Sequence, residues 1–365
     1  MKINFIVPEI VRSGGIRVIF EFANKLTLRG HDVLIYTPMI PFNTFRPKIK
    51  SYVAKHQLRY FMKQAAGKPF MPGNIFSHNF QIKAVPAINN FFIRNADIMF
   101  ATSWTSSFHV YKLNNSKGIK FYFIQDYEIW NSNEELVKQS YTLPMKRIVI
   151  AEHLQRFLKE KFNSDSEVIR YGLNFDIFNN EAKDYDTKPK SLLFMDHQLK
   201  NKNAEAAIKT IVKIKEHFPE VIARGFGMHR YHDIPGFIDF TVNPDDKTLA
   251  ELYRSSDIYI YPTLFEGCPT TPLEAMACKC AVVANASAEI PYYVKDKESG
   301  ILADPAKPEE LFEGVSWLLN NPEKLSIIAE NGYRNAHKLF DWEKSTDKLE
   351  SILKTSVETQ AQNAK

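Results

Sequence analysis

Glu266 and Glu274, with seven residues between them, bracket the segment Glu266-Gly267-Cys268-Pro269-Thr270-Thr271-Pro272-Leu273-Glu274. A strand pattern ends near Tyr261, and a helix pattern begins around Pro272, with proline in a favoured first position. Thr270 or Thr271 supplies the chemistry of an N-cap. The free N–H groups of a helix start attract an anion, and a diphosphate suits them. Two carboxylates beside such a site are not there for phosphate. They accept charge-assisted hydrogen bonds from hydroxyl groups, as a sugar would offer on either side. The spacing therefore points to a site for a diphosphate flanked by hydroxyl-bearing groups.

The whole phrase from Tyr261 to Ala277, Tyr-Pro-Thr-Leu-Phe-Glu-Gly-Cys-Pro-Thr-Thr-Pro-Leu-Glu-Ala-Met-Ala, resembles the signature of family 4 glycosyltransferases. That family has the GT-B fold, two Rossmann-like domains with parallel sheets facing across a cleft, and retains anomeric configuration. The resemblance implies that Glu266 contacts the donor sugar and Glu274 the nucleotide ribose. It also places Gly267, Cys268, Pro269, Thr270 and Thr271 in the donor loop. Gly14-Gly15 resembles the family's N-terminal glycine loop, where the backbone approaches donor phosphate or acceptor, as glycine permits. Tyr171-Gly172-Leu173-Asn174 with Phe178, Ile301-Leu302-Ala303-Asp304-Pro305, and Phe340-Asp341-Trp342 fit further family phrases, the last preceding a helix that in relatives crosses back to the N-terminal domain.

Departures from the pattern are informative. The family carries an arginine and a lysine five apart after the first strand of the second domain, both on the diphosphate. Lys202 fits the lysine, but His197 stands in the arginine's place, with Lys200 between them. A neutral histidine offers one ring N–H against the five donors of a guanidinium, and His197, if protonated, is a candidate to stabilise a departing diphosphate. Where many relatives have a histidine in the N-terminal domain, this chain has Gln125, followed by Asp126. Asp126 is the candidate to orient or deprotonate an acceptor hydroxyl. The stretch Gln125–Trp130 is similar to a subset that includes some rhamnosyltransferases of bacterial surface polysaccharides. Ala288-Glu289 replaces a common Gly-Gly, and Tyr292 a common Glu.

The resemblance implies catalytic roles for Glu266 and Lys202, beside the candidate Asp126, and a nucleotide-diphosphate sugar as substrate with no other cofactor. A hexose or deoxyhexose would pass to a glycan or lipid-linked acceptor. No metal is expected, since Cys and His lack ligand spacing and Asp245-Asp246 reads as a helix cap. A sugar-nucleotide epimerase and a non-catalytic subunit of the same fold are the alternative readings, the second because of His197 and Gln125.

The elements that must position these residues are strands and helices in alternation. Apolar runs at Ile3–Val7, Val33–Tyr36, Ile98–Ala101, Phe121–Ile124 and Ile148–Ala151, and then at Leu192–Met195, Val221–Ala223, Ile258–Tyr261 and Ala281–Val283, are short enough for buried strands. Ser13-Gly14-Gly15 reads as a turn, and Val18, Ile19, Phe22, Ala23 and Leu26 fall on one helical face that Gly30 closes. Such alternation predicts α/β domains with parallel sheets. The expected domains are 1–174, a linker over 175–190, and 191–341, with a helix at about 342–355 returning to the first. A polar, frayed tail is expected after it. Residues 40–95 read as long loops with one or two basic helices.

Charge is unevenly spread. Residues 1–174 hold 24 basic and 12 acidic residues, the remainder 23 and 30. Between Pro38 and Ala96 nine basic residues meet no acidic one. Within that stretch, Ile49, Tyr52, Val53, Tyr60 and Phe61 could share a helix with Lys48, Lys55, Arg59 and Lys63, a pattern suited to an anionic membrane surface or a phosphorylated acceptor. No nucleic-acid motif occurs. Three cysteines, no signal peptide and no apolar run long enough to span a bilayer imply a cytoplasmic protein, peripheral on the inner face of the membrane if it docks there.

Overall fold

The computed structural model describes residues 1–10, 13–39, 42, 62, 79–129, 133–180, 182–186 and 188–363. The chain divides into two compact units, Met1–Tyr171 with Glu343–Lys365, and Gly172–Trp342. The basic helix expected over residues 48–63 lies outside the described residues, apart from Met62.

In the first unit, β1 (Lys2–Ile6), β2 (Asp32–Pro38), β3 (Gln81–Val85), β4 (Ile98–Ala101), β5 (Ile119–Ile124), β6 (Lys146–Val149) and β7 (Glu167–Val168) form one parallel sheet in the order β3-β2-β1-β4-β5-β6-β7. Parallel neighbours need crossovers. α1 (Gly14–Leu28) joins β1 to β2, α2 (Trp104–Tyr111) joins β4 to β5, α3 (Glu134–Thr142) joins β5 to β6, and α4 (Glu152–Phe162) joins β6 to β7. Aromatic rings fill the centre, with Phe5 stacked on Phe100 at 4.6 Å and Phe100 beside Phe121 at 5.3 Å. The Ser13-Gly14-Gly15 turn is in fact a helix start: Ser13 caps α1 by accepting the Ile16 N–H, and Gly14 is already helical. At the other end Gly30 takes φ of 83°, and the Gly30 and His31 N–H groups return to Thr27 and Leu26. Glycine suits that left-handed position.

In the second unit, β8 (Ser191–Met195), β9 (Ile222–Gly227), β10 (Ile238–Val242), β11 (Ile258–Tyr261), β12 (Ala281–Asn285) and β13 (Ile301–Ala303) form a second parallel sheet, ordered β10-β9-β8-β11-β12-β13. α5 (Ala204–His217), α6 (Asp246–Arg254), α7 (Thr271–Ala277), α8 (Ile290–Tyr293), α9 (Glu309–Asn320) and α10 (Pro322–Leu339) complete it. Its core joins Leu192, Phe194, Ile258, Ile260 and Val283 of the sheet to Ile211, Val315 and Ile328 of the helices. Each unit is thus a Rossmann-like α/β domain.

The unit boundary falls after Tyr171, and the described residues of the polar stretch 175–190 belong to the second unit. Arg254 donates to the carbonyl of Ile177, Tyr333 to the Asn179 side chain, and Lys183 to the carbonyl of Ser256. The chain's entry to and exit from this unit are paired: Leu173 N–H reaches the Phe340 carbonyl at 2.9 Å, and a β-carbon on Gly172 would overlap Trp342. The last helix, α11 (Trp342–Asn363), runs well past the expected end near 355. From Glu343 onward it belongs to the first unit. Four carboxylate contacts clasp it there: Lys25 to Glu343 at 2.7 Å, and Arg29 to Glu343, Asp347 and Glu350 at 2.7, 2.6 and 3.1 Å. Beyond the clasp the helix continues through residues 355–363, which read as a frayed tail in sequence.

Arg29→Ala should therefore lower stability in urea, by about 1 kcal/mol, because the clasp lies largely in water. Lys354, then His31 and Arg29, hold the Glu350 carboxyl down at about 2. A lowered carboxyl contributes stability above its unfolded value and loses it as pH falls. The difference between wild type and variant should thus shrink between about pH 4.5 and 2.

Candidate active site

The sheet order of the second unit locates the site. β8 and β11 are neighbours, and the chain leaves them toward opposite edges, β8 to β9 and β10, β11 to β12 and β13. A crevice outside the carboxyl ends of the strands opens at such a switch point. Residues 196–203 after β8 and 262–270 after β11 meet there. Leu264 N–H donates to the Asn201 carbonyl at 2.8 Å, and the Asn201 amide returns to the Phe265 carbonyl at 2.8 Å. Asn203 and Asn285 both donate to the Pro262 carbonyl, at 3.3 and 2.6 Å, and Ser287 donates to Thr263 at 2.9 Å. The glutamate loop is therefore stitched to two other strand ends.

The loops bring Lys202 and Glu266 together. Lys202 Nζ lies 2.5 Å from Glu266 Oε1, and Tyr261 Oη donates to Oε2 at 2.5 Å. The Lys202 side chain is 11% exposed and that of Glu266 31%, so the lysine is the more enclosed partner. Burial, then the Glu266 charge, push the Tyr261 hydroxyl well above its ordinary range, which keeps it a donor.

His197 lies in the same loop, half-buried. Its Nδ1 accepts the Leu199 N–H at 3.0 Å, which leaves Nε2 to carry the ring proton. Burial, then the charge of Lys202, lower its affinity for a second proton. His197 is accordingly a neutral donor near neutral pH. Lys200 points to solvent. The buried Asp196 holds the next loop by accepting Tyr231 N–H at 2.7 Å and contacting His232 Nδ1 at 2.5 Å.

Glu274 sits buried on α7, with the Tyr253 hydroxyl 3.4 Å from Oε2. Thr270 occupies the cap position of α7 in helical geometry and makes no side-chain cap bond, unlike the expectation from sequence. Gly267 and Pro269 are buried, Cys268 is half-buried, and Thr270 is exposed. Ala288, where the family pattern has glycine, takes φ of 47°, the region that favours glycine.

Gly14, Gly15 and Asp126 belong to the first unit. A β-carbon on Gly15 would stand 3.4 Å from the Gln125 amide, and Gln125 Nε2 donates to the Gly15 carbonyl at 3.2 Å. Nothing crowds Gly14. Asp126 Oδ1 accepts the N–H of Tyr127 at 2.8 Å. Two residues on, Glu128 Oε2 accepts the Trp104 N–H at the start of α2, 2.9 Å away, yet burial pushes this carboxyl up to about 7. Its chemistry is invisible in sequence, since only the fold encloses it. Among the described residues no cluster of His, Cys, Asp or Glu could hold a metal ion, and no helix is long and apolar enough to cross a membrane.

Residues 176–335 match the protein family described as Glycosyl transferases group 1. The match contains β8 to β13 and both glutamates. An uncharacterized glycosyltransferase of Methanocaldococcus jannaschii is 27% identical over 58% of this chain and 58% of its own length, so the chain spans little more than half of that relative. An uncharacterized glycosyltransferase of Haemophilus influenzae is 25% identical over 88% of this chain and 91% of its own. Among solved structures, Anabaena HepE in complex with UDP-glucose aligns over 97% of this chain and 100% of its own with a TM-score of 0.71, at 13% identity. The fold is thus that of GT-B glycosyltransferases.

The site makes a prediction independent of substrate. Removing the Lys202 charge with Lys202→Met should raise the affinity of His197 for its second proton, read from an NMR titration of its ring. An unchanged titration would separate the two side chains.

Proposed function

We propose that the chain is a retaining transferase that moves a hexose or deoxyhexose from a nucleotide-diphosphate sugar to a glycan or lipid-linked acceptor in bacterial surface polysaccharide or glycoconjugate synthesis. The observation that carries this reading is the Lys202–Glu266 pair at the switch point of the second sheet, its glutamate inside the family 4 phrase. A crevice with one enclosed cation and one carboxylate suits a diphosphate joined to a sugar. HepE, of the same fold, is described with UDP-glucose.

On this reading Lys202 neutralises the departing diphosphate, and neutral His197 donates one hydrogen bond through Nε2. Glu266 accepts from the donor sugar's hydroxyls, and Glu274 from the ribose. The acceptor hydroxyl attacks the anomeric carbon on the face from which the diphosphate leaves. The new C–O bond forms as the old one breaks, and the acceptor proton passes to the leaving phosphate oxygen. Asp126 orients the hydroxyl. Lys202 supplies the positive charge, and the scheme calls for no metal.

Glu266→Ala and Glu274→Ala should each cut transfer about ten- to a hundredfold, the value of one charge-assisted hydrogen bond of about 1.5–3 kcal/mol, with the fold intact by circular dichroism. Nucleotide release should depend on acceptor. Turnover at wild-type rate in either variant contradicts the assignment, and sugar conversion without acceptor favours an epimerase.

The basic excess of the first unit supports docking on an anionic membrane, with the lipid-linked acceptor delivered there. Phe91, 86% exposed, is an aromatic available for such an interface. The protein should pellet with anionic vesicles and not neutral ones, and salt should release it. Equal pelleting with both, or with neither, rejects docking.

A further inference from the structure

The Glu266 carboxylate is occupied twice over. Oε1 faces Lys202 at 2.5 Å and Oε2 faces the Tyr261 hydroxyl at 2.5 Å. A sugar hydroxyl that donates to Glu266 and a phosphate that approaches Lys202 would each compete with this pair. Lys202 is too enclosed to stand unpaired at little cost, so it needs one anion or another throughout. A diphosphate is such an anion. Tyr261 differs from Lys202 in having no charge to trade. It is buried at the end of β11, five residues before Glu266, and its hydroxyl stays protonated.

We propose that Lys202 exchanges Glu266 for the donor's diphosphate, and that Tyr261 is the positioning residue that keeps the released carboxylate aimed at the donor sugar. The inference rests on the nucleotide-sugar reading above. Binding then has an order built into it: phosphate first takes Lys202, and only then is Glu266 Oε1 available to accept from a sugar hydroxyl. One consequence runs against intuition. A residue of the donor site opposes binding of the nucleoside diphosphate alone, because its charge competes for Lys202 and repels phosphate. The sugar offsets that opposition by using the carboxylate. Glu266 thereby discriminates intact donor from nucleoside diphosphate, which is also the product that must leave.

The test is calorimetric. Wild type, Glu266→Gln and Tyr261→Phe are titrated with uridine, adenosine, guanosine and thymidine diphosphates, and then with the sugar conjugates of whichever diphosphate binds. Glu266→Gln should bind the nucleoside diphosphate about three- to tenfold more tightly than wild type, the scale of one partly exposed ion pair. It should also lose the wild-type preference for the sugar conjugate. Tyr261→Phe should leave diphosphate affinity within about twofold and weaken the sugar conjugate alone, about threefold or more, a split that loss of packing would not produce. Diphosphate affinity that is unchanged or weaker in Glu266→Gln overturns the exchange while leaving the nucleotide-sugar reading in place. Equal weakening of both ligands in Tyr261→Phe overturns its positioning role. If wild type binds none of the diphosphates, the nucleotide-sugar reading itself fails, and the exchange with it.

Discussion

Everything proposed for this chain depends on one parallel pairing, β8 against β11, with Ile258 opposite Leu192 and Ile260 opposite Phe194. Both strands are apolar and buried, so the register is fixed by the core on either side of the sheet. That register delivers two loop ends to one place at the switch point. Lys202 and Glu266, 64 residues apart in sequence, then stand 2.5 Å from each other. A shift of one residue along either strand would turn its side chains to the other face and part the two charges.

The loops themselves are held by amide side chains. Asn201, Asn203 and Asn285 each carry a hydrogen bond to the backbone of the glutamate loop. Asn203 also takes φ of 54°, a left-handed geometry that asparagine tolerates, where the chain turns from the Lys200–Lys202 turn into α5. Backbone carbonyls of the glutamate loop that would otherwise need solvent are thus satisfied from neighbouring strand ends, and the carboxylate is presented from a stiff mount. Precise positioning matters here because a misplaced donor sugar forfeits much of the rate that alignment provides.

What was legible in the sequence was local. Ile98–Ala101 and Ile258–Tyr261 are strands at the residues where uninterrupted apolar runs place them, because both are central and buried on both faces. In the glutamate phrase the turn and the two carboxylates are contiguous, but the side-chain cap expected of Thr270 is not made. The strands that went unread are the four edges: β3 with Lys83, β7 of two residues, β10 with Asp239 and Thr241 exposed or half-exposed between apolar residues, and β13 of three residues. An edge strand is solvated along one side and needs no continuous apolar run. Contacts across long sequence separations were equally hidden. Glu128 reads as one more surface acid until the Trp104 N–H at the start of α2 meets it, and Arg29 as one more surface base until Glu343, Asp347 and Glu350 gather on it. The protonation of His197, left open in sequence, depends on burial and Lys202, which lower its affinity for a second proton.

The central claim is that Lys202 is the cation for a diphosphate at the switch point of the second sheet. The most direct measurement compares wild type and Lys202→Ala by calorimetry with a nucleoside diphosphate and with the free nucleoside. A phosphate-binding lysine predicts a loss of about tenfold or more for the diphosphate and no change for the nucleoside. Equal affinity of the two proteins for the diphosphate would contradict the account and leave Lys202 as a structural partner of Glu266 alone.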